Sequence, residues 1–436
     1  DVYKRQSIWS AETKLPEFQK LNGDIKTDVL IIGGGISGIL TAYMLKQQGI
    51  DCIVAEGDKI CSGTTKNTTA KITSQHGLIY QDIIKNIGKE KTKMYYEINQ
   101  TAIDKYRELC QGIDCDFKTA DNYVYSVGDK EKLERELDAL HRSGINADYS
   151  DRLALPFSTA GAVRFKNQAQ FNPLKFIASI TEKLKIYENT FIREIQNGTA
   201  IYDYGNITAD KIVVASHFPF INKHGSYFLK LYQHRSYVIA LKNAAELNGM
   251  YVDEDKKGLS FRNYGDYLIL GGGSHRTGKD GGNWNELRKF AQKYYPKSVE
   301  KYSWSAQDCM SLDSIPYIGR YSKRTHELYT ITGFNKWGMT GAMSGAMIIS
   351  DMITGIENAY AGIFDPSRSI MKPQLFINLA ETTVNFFKPT LKRCPHLGCA
   401  LKWNKAEHSW DCPCHGSRFT ENGKLIDNPA TGNIKK

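Results

Sequence analysis

Residues 27–38 read Thr-Asp-Val-Leu-Ile-Ile-Gly-Gly-Gly-Ile-Ser-Gly, and this stretch decides the fold of most of the chain. Its first six residues predict a short, buried strand of a parallel sheet. Residues 39–48 then predict a helix, and residues 51–55 predict a second strand that ends at Glu56. Strand, glycines, helix and acid-ended strand within ~30 residues indicate a dinucleotide-binding unit, whereas the glycine spacing alone would be a weak signal.

The three spaced glycines and the acid have separate tasks in such a site. Gly33 would make the tight turn, Gly35 would let the backbone approach a pyrophosphate, and Gly38 would allow close helix–strand packing. The helix N-terminus would face the phosphates. Glu56 would accept hydrogen bonds from ribose hydroxyls and repel a 2′-phosphate. These residues therefore predict a Rossmann-like α/β domain.

Three further stretches indicate which dinucleotide to expect. Residues 61–71 (CSGTTKNTTAK) are hydroxyl-rich, residues 211–216 (KIVVAS) predict a strand, and residues 333–341 (GFNKWGMTG) precede a predicted helix that ends near 354. With the first unit, they resemble the D-amino-acid-oxidase-like FAD oxidoreductases over roughly residues 26–360. The resemblance implies FAD, contacted by Gly33, Gly35, Gly38, Glu56, Thr64, Thr65, Lys71, Gly333, Trp337, Gly338, Met339 and Thr340.

The remaining segments of this region predict an inserted domain. Residues 80–140 have a helical period, and residues 227–270 alternate like antiparallel strands. The glycines of 271–278 are not followed by a helix, so we expect no separate NAD(P)H domain. The predicted fold class is α/β + β. We predict FAD-binding parts at about 26–78, 150–225 and 305–360, an antiparallel-sheet substrate domain at about 79–149 and 226–304, a linker with a helix at 361–389, and a cluster module at 390–436.

Catalytic candidates in the flavin region are assigned by position only. His275 follows a predicted strand and, by the resemblance, would lie in the substrate pocket. Lys71 and His76 lie where the predicted flavin loop turns towards the ring. Cys309 falls near the position of covalent FAD attachment in some sarcosine-oxidase-like relatives, although burial alone would explain a cysteine there.

Two Cys/His loops near the C-terminus carry the strongest chemical signal. Residues 394–399 read CPHLGC and residues 412–417 read CPCHGS. Two thiolates and two imidazoles suit a [2Fe–2S] centre in which one iron takes both histidines, and they could also hold a structural Zn²⁺. The pattern closely resembles the Rieske family. That resemblance implies cluster ligation by Cys394, His396, Cys412 and His415, and a disulfide between Cys399 and Cys414.

The module appears shortened relative to that family. Only about five residues separate Pro389 from Cys394, so we expect no strands before the first loop, no independent core, and direct packing on the flavin domain. We expect the linker helix to dock on that domain by its residues Phe376, Leu379, Thr383, Val384 and Phe387, rather than to bind a membrane or a partner. High-potential Rieske proteins have Tyr two residues after the loop serine. Here Phe419 occupies that position, two residues after Ser417, and it cannot donate a hydrogen bond to a cluster sulfur. We therefore predict a midpoint potential below that of respiratory Rieske centres.

Composition limits the remaining options. A chain of 436 residues predicts two to three domains, and no apolar run reaches the ~20 residues of a membrane span. The net charge of +10 comes without a basic, aromatic-interleaved run, so we expect no nucleic-acid partner. Scattered cysteines predict a reducing, cytoplasmic compartment. Residues 1–6 are interpreted as a foreign remnant, and the first 25 residues lack an apolar signal core, so we expect no secretory leader.

These features predict a flavin and iron–sulfur oxidoreductase. A small substrate, an amine or amino acid, would be oxidised at FAD, and electrons would pass through the cluster to an external acceptor, although the reverse flow is equally permitted. Two alternatives remain open. One is a flavoprotein oxidase with a structural zinc clip, and the other is a redox-sensing binding protein.

Overall fold

The computed structural model describes residues 5–255 and 257–435, so most of the segment interpreted as a foreign remnant, residues 1–4, lies outside it. The strands are β1 (Ile25–Ile32), β2 (Cys52–Ala55), β3 (Lys71–Ile72), β4 (Lys118–Ser126), β5 (Asp148–Ser150), β6 (Gly161–Gln170), β7 (Lys185–Tyr187), β8 (Glu194–Gln196), β9 (Thr199–Tyr202), β10 (Gly205–Val214), β11 (Tyr232–Lys242), β12 (Met250–Asp253), β13 (Ser260–Tyr264), β14 (Tyr267–Arg276), β15 (Val299–Met310), β16 (Tyr317–Ser322), β17 (Thr325–Thr332), β18 (Lys402–Asn404), β19 (Ser409–Asp411), β20 (Arg418–Thr420) and β21 (Leu425–Asp427).

The helices are α1 (Ile8–Glu12), α2 (Ile36–Gln47), α3 (Tyr80–Ile87), α4 (Lys89–Leu109), α5 (Lys130–Arg142), α6 (Pro173–Ile180), α7 (Tyr227–Lys230), α8 (Asn283–Tyr294), α9 (Gly338–Thr354), α10 (Ala361–Phe364) and α11 (Pro373–Phe387), with a 3-10 turn at Thr64–Asn67. No helix of the described residues is long and apolar enough to cross a membrane.

The first sheet is the predicted nucleotide-binding sheet. Its strands run in the order β16-β17-β10-β1-β2-β7, and β7, β2, β1, β10 and β17 are mutually parallel. The second half of β1 (residues 29–32) and all of β2 are apolar and buried, because helices and loops cover both faces of the sheet there. Helix α9 packs beside α2, where Gln48 donates to the Ser350 hydroxyl at 3.0 Å. The predicted β1–α2–β2 unit and the late helix are confirmed.

The second sheet has nine strands and forms the inserted domain. Its order is β15-β11-β14-β13-β12-β4-β6-β3, with β5 paired on β6. Strand β6 falls in the range 150–225 that we assigned to the FAD-binding part, yet it pairs along its length with β4 of the inserted domain. Strand β4 itself interrupts the range 80–140, where we predicted helical structure. Side-chain period does not reveal pairing partners, so these boundaries could not be read from the sequence.

The C-terminal module is a four-stranded antiparallel sheet, β18-β19-β20-β21, that carries the two Cys/His loops. We expected no independent core, but the cysteines, Leu401, Phe419 and Ala430 form a small buried cluster. As predicted, the strands follow the first loop rather than precede it. Direct packing on the flavin domain is also confirmed, as the site contacts below show.

Helix α11 docks on the flavin domain by the face opposite to the predicted one. Asn378 and Asn385 are buried at 3% and 4% exposure. The apolar residues Phe376, Val384 and Phe387 are exposed at 59%, 66% and 75%. The prediction was wrong because the surface beneath the helix is polar: Arg276 donates to Asn378 Oδ1 at 2.9 Å.

Candidate functional site

A cavity of about 1450 Å³ runs from the glycine-rich loop past the end of β15 to the C-terminal module. Nine of the twelve residues predicted to contact FAD line it: Gly33, Gly35, Glu56, Thr64, Thr65, Lys71, Trp337, Gly338 and Met339. Gly38, Gly333 and Thr340 lie behind the lining and shape its backbone. The volume and the elongated lining suit a dinucleotide.

The glycine-rich loop is shaped by close backbone approach. Gly33 has φ +114°, and a Cβ there would lie 2.5 Å from the carbonyl oxygen of Ala215. A Cβ on Gly38 would lie 1.9 Å from the carbonyl oxygen of Gly33, so α2 can pack on the loop only if residue 38 is glycine. The N-terminus of α2 begins at Gly35 and borders the cavity. This cradle fits a pyrophosphate.

Glu56 closes the loop at the end of β2. Its Oε2 accepts from the Gly34 N–H at 2.6 Å, and its Oε1 accepts from the Asp58 N–H at 2.8 Å. Burial raises the pKa of this carboxyl, and the two backbone hydrogen bonds oppose the rise. Each carboxylate oxygen accepts one of these bonds and can accept another, and Glu56 lines the cavity. The ribose contact predicted from the sequence is therefore compatible with this geometry.

The hydroxyl-rich stretch holds α2 and reaches the second sheet. Thr65 Oγ1 accepts from the Ile36 N–H at 3.0 Å, so this hydroxyl caps the first turn of α2. Thr64 Oγ1 donates to the Gln307 carbonyl at 2.9 Å on β15. These bonds connect the two domains along one wall of the cavity.

Lys71 is a buried cation in the cavity wall. It is 8% exposed, and its Nζ donates to Thr69 Oγ1 at 3.2 Å. Burial, together with the neighbouring Arg262 guanidinium, lowers the pKa of Lys71 to about 7. A lysine in this state can be neutral at physiological pH and can therefore accept a proton.

The N-terminus of α9 is fixed by His76. Its Nδ1 lies 2.6 Å from the Tyr95 hydroxyl, its Nε2 lies 2.9 Å from Thr340 Oγ1, and its ring stacks on Trp337 with 5.3 Å between centroids. Burial lowers the pKa of His76 to about 3. The imidazole is thus a neutral structural group that orients the loop before α9.

His275 lies outside the cavity lining, contrary to its predicted place in the substrate pocket. Successive side chains of β14 point to opposite faces, and Ser274 is the neighbour that faces the cavity. His275 Nε2 lies 3.1 Å from the Tyr237 hydroxyl on the other face. Lys336, which the sequence reasoning missed, donates to Ser274 Oγ at 3.0 Å. Its position in the GFNKWG stretch was the available signal.

Cys309 does line the cavity. Its Sγ lies 3.6 Å from Thr332 Oγ1, and burial raises the pKa of the thiol to about 12. Because the thiolate is the nucleophilic form, this environment disfavours spontaneous attack on a flavin.

The two Cys/His loops meet as the spacing predicted. The rings of His396 and His415 meet edge to face with centroids 4.9 Å apart, and the thiol of Cys394 contacts that of Cys412. Among the described residues, neither ring nitrogen of buried His415 has a hydrogen-bond partner of good geometry, nor has Nδ1 of His396. His396 Nε2 lies 2.9 Å from Asn222 Oδ1, so each ring keeps an unpartnered Nδ1. Two paired thiols beside two such imidazoles fit a cluster that takes both histidines on one iron.

A disulfide joins the two loops. Cys399 and Cys414 are bonded, with 6.7 Å between their Cα atoms. The sulfurs of Cys399, Cys412 and Cys414 also lie within 4.8 Å of one another. That trio is a poor ligand set because two of its sulfurs are in the disulfide and cannot act as thiolates. Cys394 and Cys412 remain as the thiolate pair.

The second cluster loop is held by the sheet of the inserted domain through four successive backbone carbonyls. Arg276 donates to the carbonyls of residues 413 and 414 at 3.0 and 3.2 Å. Gln233 Nε2 donates to the His415 carbonyl at 2.8 Å, and Gln307 Nε2 donates to the carbonyl of residue 416 at 2.9 Å. Gln307 also lines the cavity. Gln307 therefore contacts both the cavity and the cluster loop.

A buried ion cluster forms a second anchor. Glu407 of the module accepts from Arg235 Nε at 2.9 Å and from Arg418 Nη2 at 2.8 Å, and Ser305 and Tyr237 donate to the same carboxylate at 2.8 and 3.0 Å. Burial opposes ionisation, but the two guanidinium groups outweigh it and hold the pKa of Glu407 well below its ordinary value.

Comparisons with known proteins agree with this geometry. Residues 28–352 match the family model for FAD dependent oxidoreductases (DAO), and residues 379–436 match that for the Rieske [2Fe-2S] domain. The Bacillus subtilis (strain 168) protein YhfW, which is named for a Rieske 2Fe-2S iron-sulfur protein, is 34% identical over an alignment 494 positions long, which covers 99% of this chain and 97% of that protein.

Solved structures share the fold of the larger part. L-proline dehydrogenase from P. horikoshii superposes with a TM-score of 0.66 at 17% identity, covering 80% of this chain and 98% of its own. Glycine oxidase from Geobacillus kaustophilus gives 0.65 at 17% identity, with 79% and 99% covered. From these matches, and from a cavity and ligand set that fit FAD and a [2Fe-2S] cluster, the chain belongs to the DAO family of FAD-dependent oxidoreductases and carries a C-terminal Rieske domain.

Proposed function

We propose that this enzyme oxidises a small amine or amino acid at FAD and sends the electrons through the Rieske cluster to an acceptor outside the chain. The observation that carries the proposal is the four-carbonyl attachment of residues 413–416 to Arg276, Gln233 and Gln307. It joins the cluster loop to the wall of the flavin cavity. The structural relatives named for glycine and L-proline support an amino-acid or amine substrate.

FAD, when bound, supplies two-electron chemistry, and the cluster, when bound, carries one electron at a time. The chain's own residues provide orientation and proton handling. The cradle around Gly33 and Gly38 and the N-terminus of α2 would hold the pyrophosphate. Gln307, with its carbonyl bound by Thr64 and its amide bound to the cluster loop, would fix the separation of the two centres.

We assign Lys71 to hold the substrate proton. Its Nζ is in the cavity wall, and a pKa of about 7 lets the amine be neutral in working conditions. A protonated amine substrate must lose a proton before its nitrogen lone pair can assist oxidation. His275 receives no substrate role, because its side chain lies on the other face of β14.

We further propose a cytoplasmic location. Cys52, Cys61, Cys110, Cys115 and Cys309 are all unpaired thiols, as a reducing compartment would leave them. The single disulfide belongs to the cluster loops, where the module buries it.

The decisive experiment is anaerobic reduction followed at flavin and cluster wavelengths. Glycine, L-proline and simple alkylamines are mixed with the oxidised holoenzyme, and the proposal expects the flavin and the cluster to bleach together. A Cys394→Ala variant, which lacks a cluster thiolate, should still show flavin bleaching. Its reoxidation by a one-electron acceptor should be slow. Flavin bleaching in the wild type with a persistently oxidised cluster would contradict the relay.

A further inference from the structure

Apart from Leu375, which is buried, helix α11 presents its apolar side to solvent and its polar side to the protein. Gln374, Asn378 and Glu381 face inwards, where Asn378 accepts from Arg276 and Glu381 pairs with Lys279 at 2.6 Å. A surface helix of a globular protein normally does the reverse. If the apolar side of α11 were buried, the fold would be more stable. Its exposure therefore indicates that this side binds a partner.

The outer side of α11 is part of a larger apolar patch, which we call the α11 patch. Its exposed residues are Met371, Phe376, Ile377, Leu379, Val384, Phe386, Phe387, Leu391 and Leu397. Phe387 is 75% exposed and Leu391 is fully exposed. Most of the large apolar side chains that the described residues leave exposed are in this one patch, and such concentration on one surface marks an interaction site.

The outward charges that flank α11 along the sequence have one sign. Lys372 precedes the helix, and Lys388, Lys392 and Arg393 follow it. Between residues 366 and 402 the sequence has a single carboxylate side chain, Glu381, and that group is turned inwards to Lys279. An apolar helix side that is flanked by cations, and that has no carboxylate pointing outwards, is complementary to a surface that combines negative charge with an apolar layer.

The patch adjoins the cluster loop. Arg393 donates to the carbonyls of Phe386 and Gly398 at 2.9 and 2.8 Å, which ties the end of α11 to the first loop. Leu397 is 37% exposed and follows the cluster ligand His396 directly. Whatever binds the patch therefore lies beside the first cluster loop.

We propose that the α11 patch binds an anionic lipid surface, with α11 lying in the plane of the headgroups. The patch consists of Phe, Leu, Ile, Val and Met, and it lacks the Tyr and Trp that are typical of protein–protein hot spots. It projects as one helix between lysines whose stems can reach the headgroup layer. This is the composition of an interfacial helix, whereas a protein partner or a second copy would need a matching groove.

The test is sedimentation of the full-length holoenzyme with vesicles. Vesicles of phosphatidylcholine with phosphatidylglycerol are compared with vesicles of phosphatidylcholine alone at low salt. We expect binding to the anionic vesicles only. The exposed pair Phe376→Ser/Phe387→Ser should weaken it about tenfold or more, because each phenyl ring loses its transfer into the bilayer. Lys388→Gln should weaken it about fivefold, the value of one lysine near an anionic surface.

The matched controls are exposed positions elsewhere. Val127→Ser/Val299→Ser removes two other exposed apolar side chains, and Lys405→Gln removes an exposed lysine of the module; both should bind as the wild type does. Visible spectra confirm that every variant keeps both cofactors. Absence of binding to anionic vesicles overturns the proposal, as does binding that Phe376→Ser/Phe387→Ser leaves unchanged. Self-association that this variant abolishes, without vesicle binding, would assign the patch to a second copy instead.

Discussion

Replacing Glu407 by glutamine should release the Rieske module from the flavin domain. The carboxylate joins Arg418 of the module to Arg235 of β11, and the Arg235 side chain is only 3% exposed. Removing one partner of a buried ion pair costs about 3–5 kcal/mol because it leaves the other charge uncompensated. Arg418 keeps Asp411 and Asp427 at 3.1 and 3.0 Å, so the uncompensated charge in Glu407→Gln is mainly that of Arg235. Since glutamine retains one acceptor oxygen, we expect the lower end of the range, about 3 kcal/mol, which raises the undocked population roughly a hundredfold.

Limited proteolysis with subtilisin measures that population, because cleavage of a transiently opened state follows the opening equilibrium when reclosing is fast. We expect initial cleavage in the segment 365–393 to be about a hundredfold faster in Glu407→Gln. Glu421→Gln, an exposed position of the same module, is the matched control and should cleave at the wild-type rate. Equal rates for Glu407→Gln and wild type would refute the anchoring role.

The anchor should also respond to acid. The folded-state pKa of Glu407 is depressed, so its stabilising contribution is complete above about 4.5, the ordinary glutamate value, and is lost as the pH falls from there towards the folded-state pKa. With pepsin, which cleaves in acid, in place of subtilisin for this series, the wild-type cleavage rate should therefore rise towards that of Glu407→Gln below pH ~4.5. A constant ratio between the two rates down to the onset of global unfolding would contradict this assignment.

Three further predictions concern the cofactor sites. Phe419→Tyr should raise the midpoint potential of the cluster by about 40 mV, which is the equivalent of one hydrogen bond of ~1 kcal/mol. Protein-film voltammetry measures this potential, and an unchanged value would show that residue 419 does not reach a cluster sulfur. If neutral Lys71 accepts the proton, kcat/KM of the wild type should rise with pH through about 7. Lys71→Met should remove this rise, and a rise that persists would exclude Lys71 as the proton acceptor. Gly38→Ala should abolish FAD retention because its Cβ would lie 1.9 Å from the Gly33 carbonyl oxygen. The control Gly63→Ala, whose Cβ would meet open space, should purify with normal flavin content. FAD retention by both variants would refute the role of Gly38 in the cradle.

The parts of the site that the sequence predicted are those whose chemistry is local. The spacing of glycines in residues 33–38 determines a turn geometry, and the ligand types of residues 394–415 determine a metal preference, so neither needs knowledge of the rest of the fold. The αβ unit, the late helix and the meeting of the two Cys/His loops all follow from such signals.

The parts that failed depend on which surfaces meet. The period of α11 identified an apolar side correctly, but only the polar surface around Arg276 decided that this side faces solvent. His275 was misplaced because a shift of one residue along β14 exchanges the two faces, and Ser274 faces the cavity instead. The bond from Gln307 to the cluster loop joins residues 109 positions apart, and no local pattern could indicate it.

The attachment of residues 413–416 has a consequence for the kinetics of electron transfer. With four consecutive carbonyls bound to Arg276, Gln233 and Gln307, the cluster head cannot swing between a donor and an acceptor while those bonds last. The intramolecular step should then be insensitive to solvent viscosity, so added glycerol would slow only the encounter with the acceptor. In the relay that we propose, the mobile element would be the external acceptor, which would have to come to the cluster.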